Sequence, residues 1–221
     1  MIPEQAMQRV QALLDHGGRQ VLGIVGLPGA GKSTLAQALV DAFADRAMVA
    51  PMDGFHLANA ELARLGRASR KGAPDTFDAA GYVALLRRLS RAVLGETVYA
   101  PAFHRDIEEP IAGEIALPSE LPLIITEGNY LLLDEGGWSD ARTYMDEVWF
   151  VDVDPAQRHR QLLERHMRYG RSREEALAWI EHTDEPNAVR IEATASRADF
   201  RFSLQPSHAL PLEMGGCNPL R

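Results

Sequence analysis

The run Val21-Leu22-Gly23-Ile24-Val25-Gly26-Leu27-Pro28-Gly29-Ala30-Gly31-Lys32-Ser33-Thr34 sets the architecture of this 221-residue chain. Its first five residues are apolar and rich in β-branched side chains, as suits a strand buried on both faces of a parallel sheet. Residues 26 to 33 then fit the pattern G-x-x-x-x-G-K-[ST], and a helical pattern runs from Lys32 to Ala44. Strand, glycine-rich loop and helix in succession make a phosphate cradle. Gly26, Gly29 and Gly31 lack a Cβ, so the loop is expected to take positive φ and turn its N–H groups inward, and the helix adds its positive end. Gly26, Leu27, Pro28, Gly29, Ala30, Gly31, Lys32, Ser33 and Thr34 are therefore the expected nucleotide contacts. Lys32 supplies a point charge to the β and γ phosphates, and the Ser33 hydroxyl is placed for Mg2+. Only Lys32 and Lys71 are lysines among 23 basic residues, so a lysine in the cradle is not a default surface cation.

Similar apolar runs recur at Ala47 to Pro51, Leu123 to Thr126 and Val148 to Val153, and Asp199 to Leu204 is a fifth strand candidate. Helical patterns cover Pro3 to His16, Phe55 to Leu65, Ala79 to Leu94, Pro155 to Tyr169 and Arg173 to about Thr194. Alternation of this kind predicts an α/β fold: a five-stranded, mainly parallel sheet with helices on both faces. The stretch Thr97 to Leu121, punctuated by Pro101, Pro110 and Pro118, breaks the alternation and reads as an edge hairpin or loop beside a ligand site. One domain over residues 1–205 is expected, with a substrate-side insertion at about 66–121, a lid at about 160–175 and a loosely ordered tail over 206–221.

Composition narrows the function classes. The chain carries 23 Lys and Arg against 31 Asp and Glu, a net charge of −8, which argues against nucleic acid as a partner. No apolar stretch is long enough to span a bilayer and no signal peptide is visible, so a cytoplasmic location without membrane contact is expected. The lone Cys217 excludes an internal disulfide and a multi-cysteine metal site. No asparagine is followed by lysine, so a guanine-reading N-K-x-D is missing, and so is the L-S-G-G-Q signature of transporter ATPases; ATP is the expected nucleotide.

Two carboxylates stand where an open α/β sheet places its ligands, beyond the carboxyl ends of strands. Asp53, after the second strand, either accepts the proton of an attacking hydroxyl or caps the following helix, and Gly54 beside it lets backbone approach a substrate. Glu127, ending the third strand, fits the acid on the Mg2+ side of such a site. Asp78 reads as a helix cap, and His56 and His166 as packing or surface residues.

The cradle, Met52-Asp53-Gly54-Phe55-His56, Arg70 to Asp78, Pro101-Ala102-Phe103-His104-Arg105 and Glu127-Gly128-Asn129-Tyr130-Leu131-Leu132 together resemble the uridine kinase, phosphoribulokinase and bacterial pantothenate kinase superfamily over about residues 20 to 205. Its nucleoside-kinase-like and fructose-transport-kinase members are the most similar. The resemblance implies the P-loop fold, ATP and Mg2+, and transfer of the γ-phosphoryl group to a hydroxyl of a sugar, nucleoside or pantothenate-like molecule, with Asp53 as base. The alternative is an acceptor-independent ATPase or nucleotide-dependent regulator. The resemblance also implies acceptor contacts from Asp53, Phe55, His56, Lys71, Phe103, His104, Arg105, Glu127 and Tyr130, metal contacts from Ser33 and Glu127, and lid arginines among which Arg165 and Arg168 share a helix face. At His104 relatives commonly carry an acid, so acceptor choice is expected to differ. Asp184-Glu185-Pro186-Asn187 also recurs in such relatives without an evident role, and a homodimer is possible.

Overall fold

The five apolar runs form one parallel sheet. The computed structural model describes residues 2–91 and 93–204, so the tail and Cys217 lie outside the described residues. In chain order the elements are α1 (Glu4–Asp15), β1 (Gln20–Gly26), α2 (Lys32–Phe43), β2 (Ala47–Val49), α3 (Asn59–Arg64), α4 (Ala79–Ser90), β3 (Thr97–His104), β4 (Glu109–Pro118), β5 (Leu123–Glu127), β6 (Glu147–Asp152), α5 (Pro155–Arg168), α6 (Arg173–Trp179), α7 (Glu185–Glu192) and β7 (Phe200–Ser203). Strand order is β2-β5-β1-β6-β7. Every pairing in that sheet is parallel, with Ile24 opposite Glu127 and Val25 opposite Phe150.

Alternation along the strands divides the core in two. Val21, Val25, Ile124, Val148 and Phe150 pack on one face with Tyr82, Leu86 and Trp138, while Leu22, Ile24, Ile125, Trp149 and Val151 pack on the other with Val10, Leu35 and Leu39. β1, central and buried throughout, aims its carboxyl end at the crevice between β5 and β6, where the strand order reverses direction. Among the described residues no helix is long and apolar enough to cross a membrane.

Three expectations need correction. Thr97 to Leu121 is a hairpin, but β3 and β4 form a separate antiparallel pair rather than an edge of the main sheet. Pro101, with no N–H to give a ladder, sits where its register shifts. The helix expected from Phe55 to Leu65 shrinks to α3, because the chain before it pairs elsewhere: Leu57 donates to the Thr76 carbonyl at 2.9 Å and Asp78 to that of Phe55 at 2.8 Å. The single helix expected from Arg173 to Thr194 is broken into α6, a π-helical turn at Ile180–Asp184, and α7. Pro186 supplies the physical reason, since it lacks a donor and its ring clashes with the preceding turn of an uninterrupted α-helix.

Candidate active site

The phosphate cradle follows β1 directly. Gly29 and Gly31 both have φ of 83°, a conformation costly for other residues. Gly26 does not take positive φ, contrary to expectation; its lack of a Cβ serves close approach, because a Cβ there would lie 2.7 Å from the Val151 carbonyl oxygen of β6. Lys32 opens α2 and folds back over the loop, donating to the carbonyls of Gly26 (2.9 Å) and Leu27 (3.1 Å) and to Asn129 Oδ1 (2.7 Å). Burial pushes its pKa down to about 8, against the opposing pull of Glu127 and Asp53. Ser33 Oγ donates to Glu127 Oε1 at 2.9 Å. Burial, and then the neighbouring charge of Asp53, raise the Glu127 carboxyl above its usual range.

Asp53 lies in a 3-10 turn, Met52–Phe55, and caps no helix. Its Oδ2 accepts from Arg105 Nη2 at 3.0 Å. Burial alone would raise its pKa, but surrounding charge wins and holds the carboxyl below its ordinary value. His56 contributes only when protonated, and burial lowers that imidazole's own pKa; Arg105, Lys32 and Arg165 are the lasting causes. Asp53 thus stays an anion through the neutral range.

Three adjoining cavities share walls. An inner one of about 120 Å³ is lined by Pro28 of the cradle, Asp53, His56, Phe103, Arg105 and Arg165. A second, of about 410 Å³, lies on the cradle side against Gly29, Lys32, Ser33, Thr34 and Arg168, and shares Arg105, Arg165 and Tyr169 with the first. A third, of about 730 Å³, opens outward and shares Lys71, Glu108, Arg171 and Trp179 with the inner one. Arg105 and Arg165 therefore stand on the boundary between the cradle and Asp53.

Several expected residues fall elsewhere. Phe55 turns into the core against Tyr82, ring centroids 5.4 Å apart. Tyr130 is fully buried, its hydroxyl donating to the Gly72 carbonyl, so it props the Lys71–Gly72 loop from beneath. His104 leaves the inner cavity altogether, bonding Glu114 at 2.6 Å; alternation along β3 turns it away from the face of Phe103. Glu127 faces Ser33 rather than the inner cavity. Of the two lid arginines, Arg165 reaches the inner cavity and Arg168 only the cradle side. His56, sandwiched between Phe77 (4.0 Å) and Phe103 (4.5 Å), both packs and lines the cavity. Asp78 caps α4, accepting from Gly81 N at 2.9 Å.

Sequence reasoning missed the far wall. The π-helical turn carries Asp184 to His166, whose Nε2 lies 2.7 Å from Asp184 Oδ2, while Arg171 Nη1 lies 2.8 Å from His166 Nδ1. Arginine only donates, so Nδ1 accepts and Nε2 carries the proton. Asp184 Oδ1 in turn stands 3.9 Å from Arg165. Pro186, two residues on, was the available signal of a distorted helix.

Residues 21–211 match the model of the phosphoribulokinase / uridine kinase family. The chain belongs to that family. A provisionally named uridine kinase of Schizosaccharomyces pombe is 33% identical over 208 residues, covering 89% of this chain and 88% of its own. A provisionally named fructose transport system kinase from Silicibacter sp. TM1040 has a solved structure with TM-score 0.80 and 37% identity, covering 91% of this chain and 99% of that one. A P-loop kinase of Saccharomyces cerevisiae with a circular permutation shares the fold at TM-score 0.77 and 17% identity, over 94% of this chain and 100% of its own. The architecture expected from the sequence, a P-loop kinase with a five-stranded parallel sheet, stands. The chain is a kinase acting on a small molecule.

Proposed function

We propose that this family member transfers the γ-phosphoryl group of ATP to a hydroxyl of its small-molecule acceptor, with Asp53 as general base. The observation that carries the reading is the Asp53 carboxylate, bonded to Arg105, facing a cavity walled by Pro28 of the phosphate loop, with Arg105 and Arg165 shared between that cavity and the one lined by Lys32 and Ser33. Asp53 accepts the hydroxyl proton as the acceptor oxygen bonds to the γ-phosphorus. The bond from that phosphorus to the oxygen bridging it to ADP breaks, and its electron pair leaves with ADP. Lys32, Arg105 and Arg165 offset the charge that spreads over the transferring group and its leaving oxygen, and closure of α5 excludes water. Arg168 completes the nucleotide side.

Ser33 and Glu127 present a hydroxyl and a carboxylate 2.9 Å apart. Among the described residues no group of three or more His, Cys, Asp or Glu side chains could hold a metal alone. Two hard oxygens fit Mg2+, which keeps several waters and takes further oxygens from phosphates rather than from a full protein cage. When bound there it would neutralise phosphate charge.

The test is ADP release from Mg-ATP in the presence of nucleosides, ketohexoses, sugar acids and pantothenate. Stimulation over water by one acceptor class is expected. Steady hydrolysis with no stimulation by any of them would favour an acceptor-independent ATPase instead. Asp53→Asn should lower the acceptor-dependent turnover number about a hundredfold or more with ATP affinity nearly unchanged. Wild-type turnover in that variant would remove Asp53 from the mechanism.

A further inference from the structure

The cations around the inner cavity fall into two groups by the walls they share. Arg105 and Arg165 border both the inner cavity and the cradle-side cavity, so the nucleotide's terminal phosphate accounts for them. Lys71 and Arg171 border the inner cavity and the outward groove instead, and neither lines the cradle side. Phosphoryl transfer as described above gives these two nothing to do.

Both also have donors to spare. Arg171 spends one N–H on His166 and lays its guanidinium over the Trp179 ring, 4.0 Å from the centroid. Among the described residues no carboxylate comes within 4.0 Å of it. Lys71 gives protons to Asn59 Oδ1 at 2.7 Å and to the Glu108 carbonyl, which leaves one of its three for a ligand. Its nearest carboxylate oxygen, on Glu108, is 3.7 Å away, and burial already pulls its pKa down. Of the acids lining the inner cavity, Asp53 is engaged with Arg105 and Asp184 with His166 and Arg165, which leaves Glu108, at 3.7 Å, as the one beside Lys71. At the outer mouth stand a largely buried lysine whose nearest carboxylate oxygen is 3.7 Å away and a half-buried arginine with, among the described residues, no carboxylate within 4.0 Å; together they are the complement of an anion, and an arginine held flat on an indole presents its edge for bidentate contact with one.

We infer that the acceptor is a polyol bearing an anionic group, carboxylate or phosphate ester, which Lys71 and Arg171 hold at the outer mouth while a hydroxyl at the other end of the molecule reaches Asp53. This rests on the phosphotransferase reading above and narrows it, since a neutral nucleoside or free hexose offers these cations oxygen acceptors but no opposite charge. The inner cavity, at about 120 Å³ against roughly 300–1,000 Å³ for pockets that enclose drug-sized ligands, suits a thin polyol chain passing between Phe103 and Arg165.

Matched pairs test it: glycerol with glycerate, glucose with gluconate, fructose with fructose 1-phosphate, and uridine as a neutral nucleoside, each in the Mg-ATP assay for ADP release. Stimulation by an anionic member and not by its neutral partner is expected, and the pair that responds tells carboxylate from phosphate ester. Lys71→Met and Arg171→Met should each raise the KM of that acceptor about tenfold or more, with a smaller change in kcat, and Arg171→Lys should recover part of the loss. The two variants sit on different segments, so misfolding of one leaves the other informative. Equal stimulation by neutral and anionic partners, or an unchanged acceptor KM in the variants, overturns the anionic acceptor while leaving phosphotransfer intact. Absence of stimulation by every compound overturns the phosphotransferase reading and this inference with it.

Discussion

Gly54 is where the hairpin is fastened to the catalytic turn, and replacing it with alanine should loosen both. The backbone there is not at positive φ, so alanine brings no conformational strain and the whole effect comes from one added methyl group. That methyl would lie 2.7 Å from the carbonyl carbon of Pro101, closer still to its oxygen, and 2.9 Å from its Cγ, where ordinary contact begins near 3.4 Å. The obstacle is backbone, so no side chain can rotate out of the way, and strand β3 must retreat by more than half an ångström. Overpacking of this kind costs about 1–3 kcal/mol. For a chain of this size that corresponds to a fall in Tm of roughly 2–12 °C. The functional loss should exceed the thermal one, because β3 leads into Arg105, which bonds the Asp53 carboxylate one residue from the substitution. A displacement near 1 Å at such a site costs about a hundredfold in turnover. Calorimetry and the acceptor-stimulated assay give the two numbers. Wild-type Tm and turnover in Gly54→Ala would refute the argument that this glycine exists to let the hairpin backbone touch the turn.

Two further outcomes follow from the site. Lys32, with its pKa lowered to about 8 by burial, regains its proton when phosphate charge arrives, so ATP binding should take up a proton increasingly as pH rises through about 8; calorimetric titration in buffers of different ionisation enthalpy measures this, and no uptake between about pH 7.5 and 9 would count against a buried lysine in the cradle. Asp184→Ala leaves His166 and Arg165 without their buried acceptor, which should cost about 1–3 kcal/mol and lower turnover through Arg165, whereas Asp184→Asn, able to accept from His166, should retain more stability; equal Tm in all three proteins would show that the contact carries no load.

What the sequence made legible was whatever is decided by neighbours along the chain. Strands β1, β5 and β6 were visible because they are buried almost throughout, so no polar alternation blurs the apolar run; β7, where Arg201 and Ser203 are exposed between Phe200 and Phe202, showed only as a fifth candidate, and the cradle was visible because its glycines, Lys32 and Ser33 lie within one short run. The failures share the opposite cause. Phe55 and Leu62 look like a helix face, yet the segment from Phe55 to Leu57 is claimed by hydrogen bonds to Thr76 and Asp78, a long-range pairing that no local propensity reports. His104 attracted notice for its residue type, when period-two alternation along a strand would have turned it away from the cavity lined by Phe103. Arg165 and Arg168, three apart on one helix face, looked equivalent; the contact that separates them is with Asp184, nineteen residues after Arg165, delivered by a π-helical turn marked in the sequence by Pro186 and the Asp184-to-Asn187 run, neither of which names the partner.

That asymmetry follows from how the site is divided between the sheet and its additions. The proposed nucleotide side comes from the sheet and what directly follows it: Glu127 ends β5, fixed by register opposite Ile24, and Lys32 and Ser33 open α2 after the loop that follows β1. The proposed acceptor side is assembled from the hairpin, the Lys71–Gly72 loop and the π-helical turn, none of which pairs with the main sheet. Side chains tie them in place instead: the Tyr130 hydroxyl, after β5, holds Gly72, Glu108 of the hairpin turn holds Lys71, and His166 of α5 holds Asp184 of the π-helical turn. Substitutions there can retune the acceptor without disturbing strand register, so relatives that share the cradle can bear names that point to different acceptors. In this chain the wall so built leaves Lys71 and Arg171 at the outer mouth, where the proposed anionic acceptor would complete their pairing.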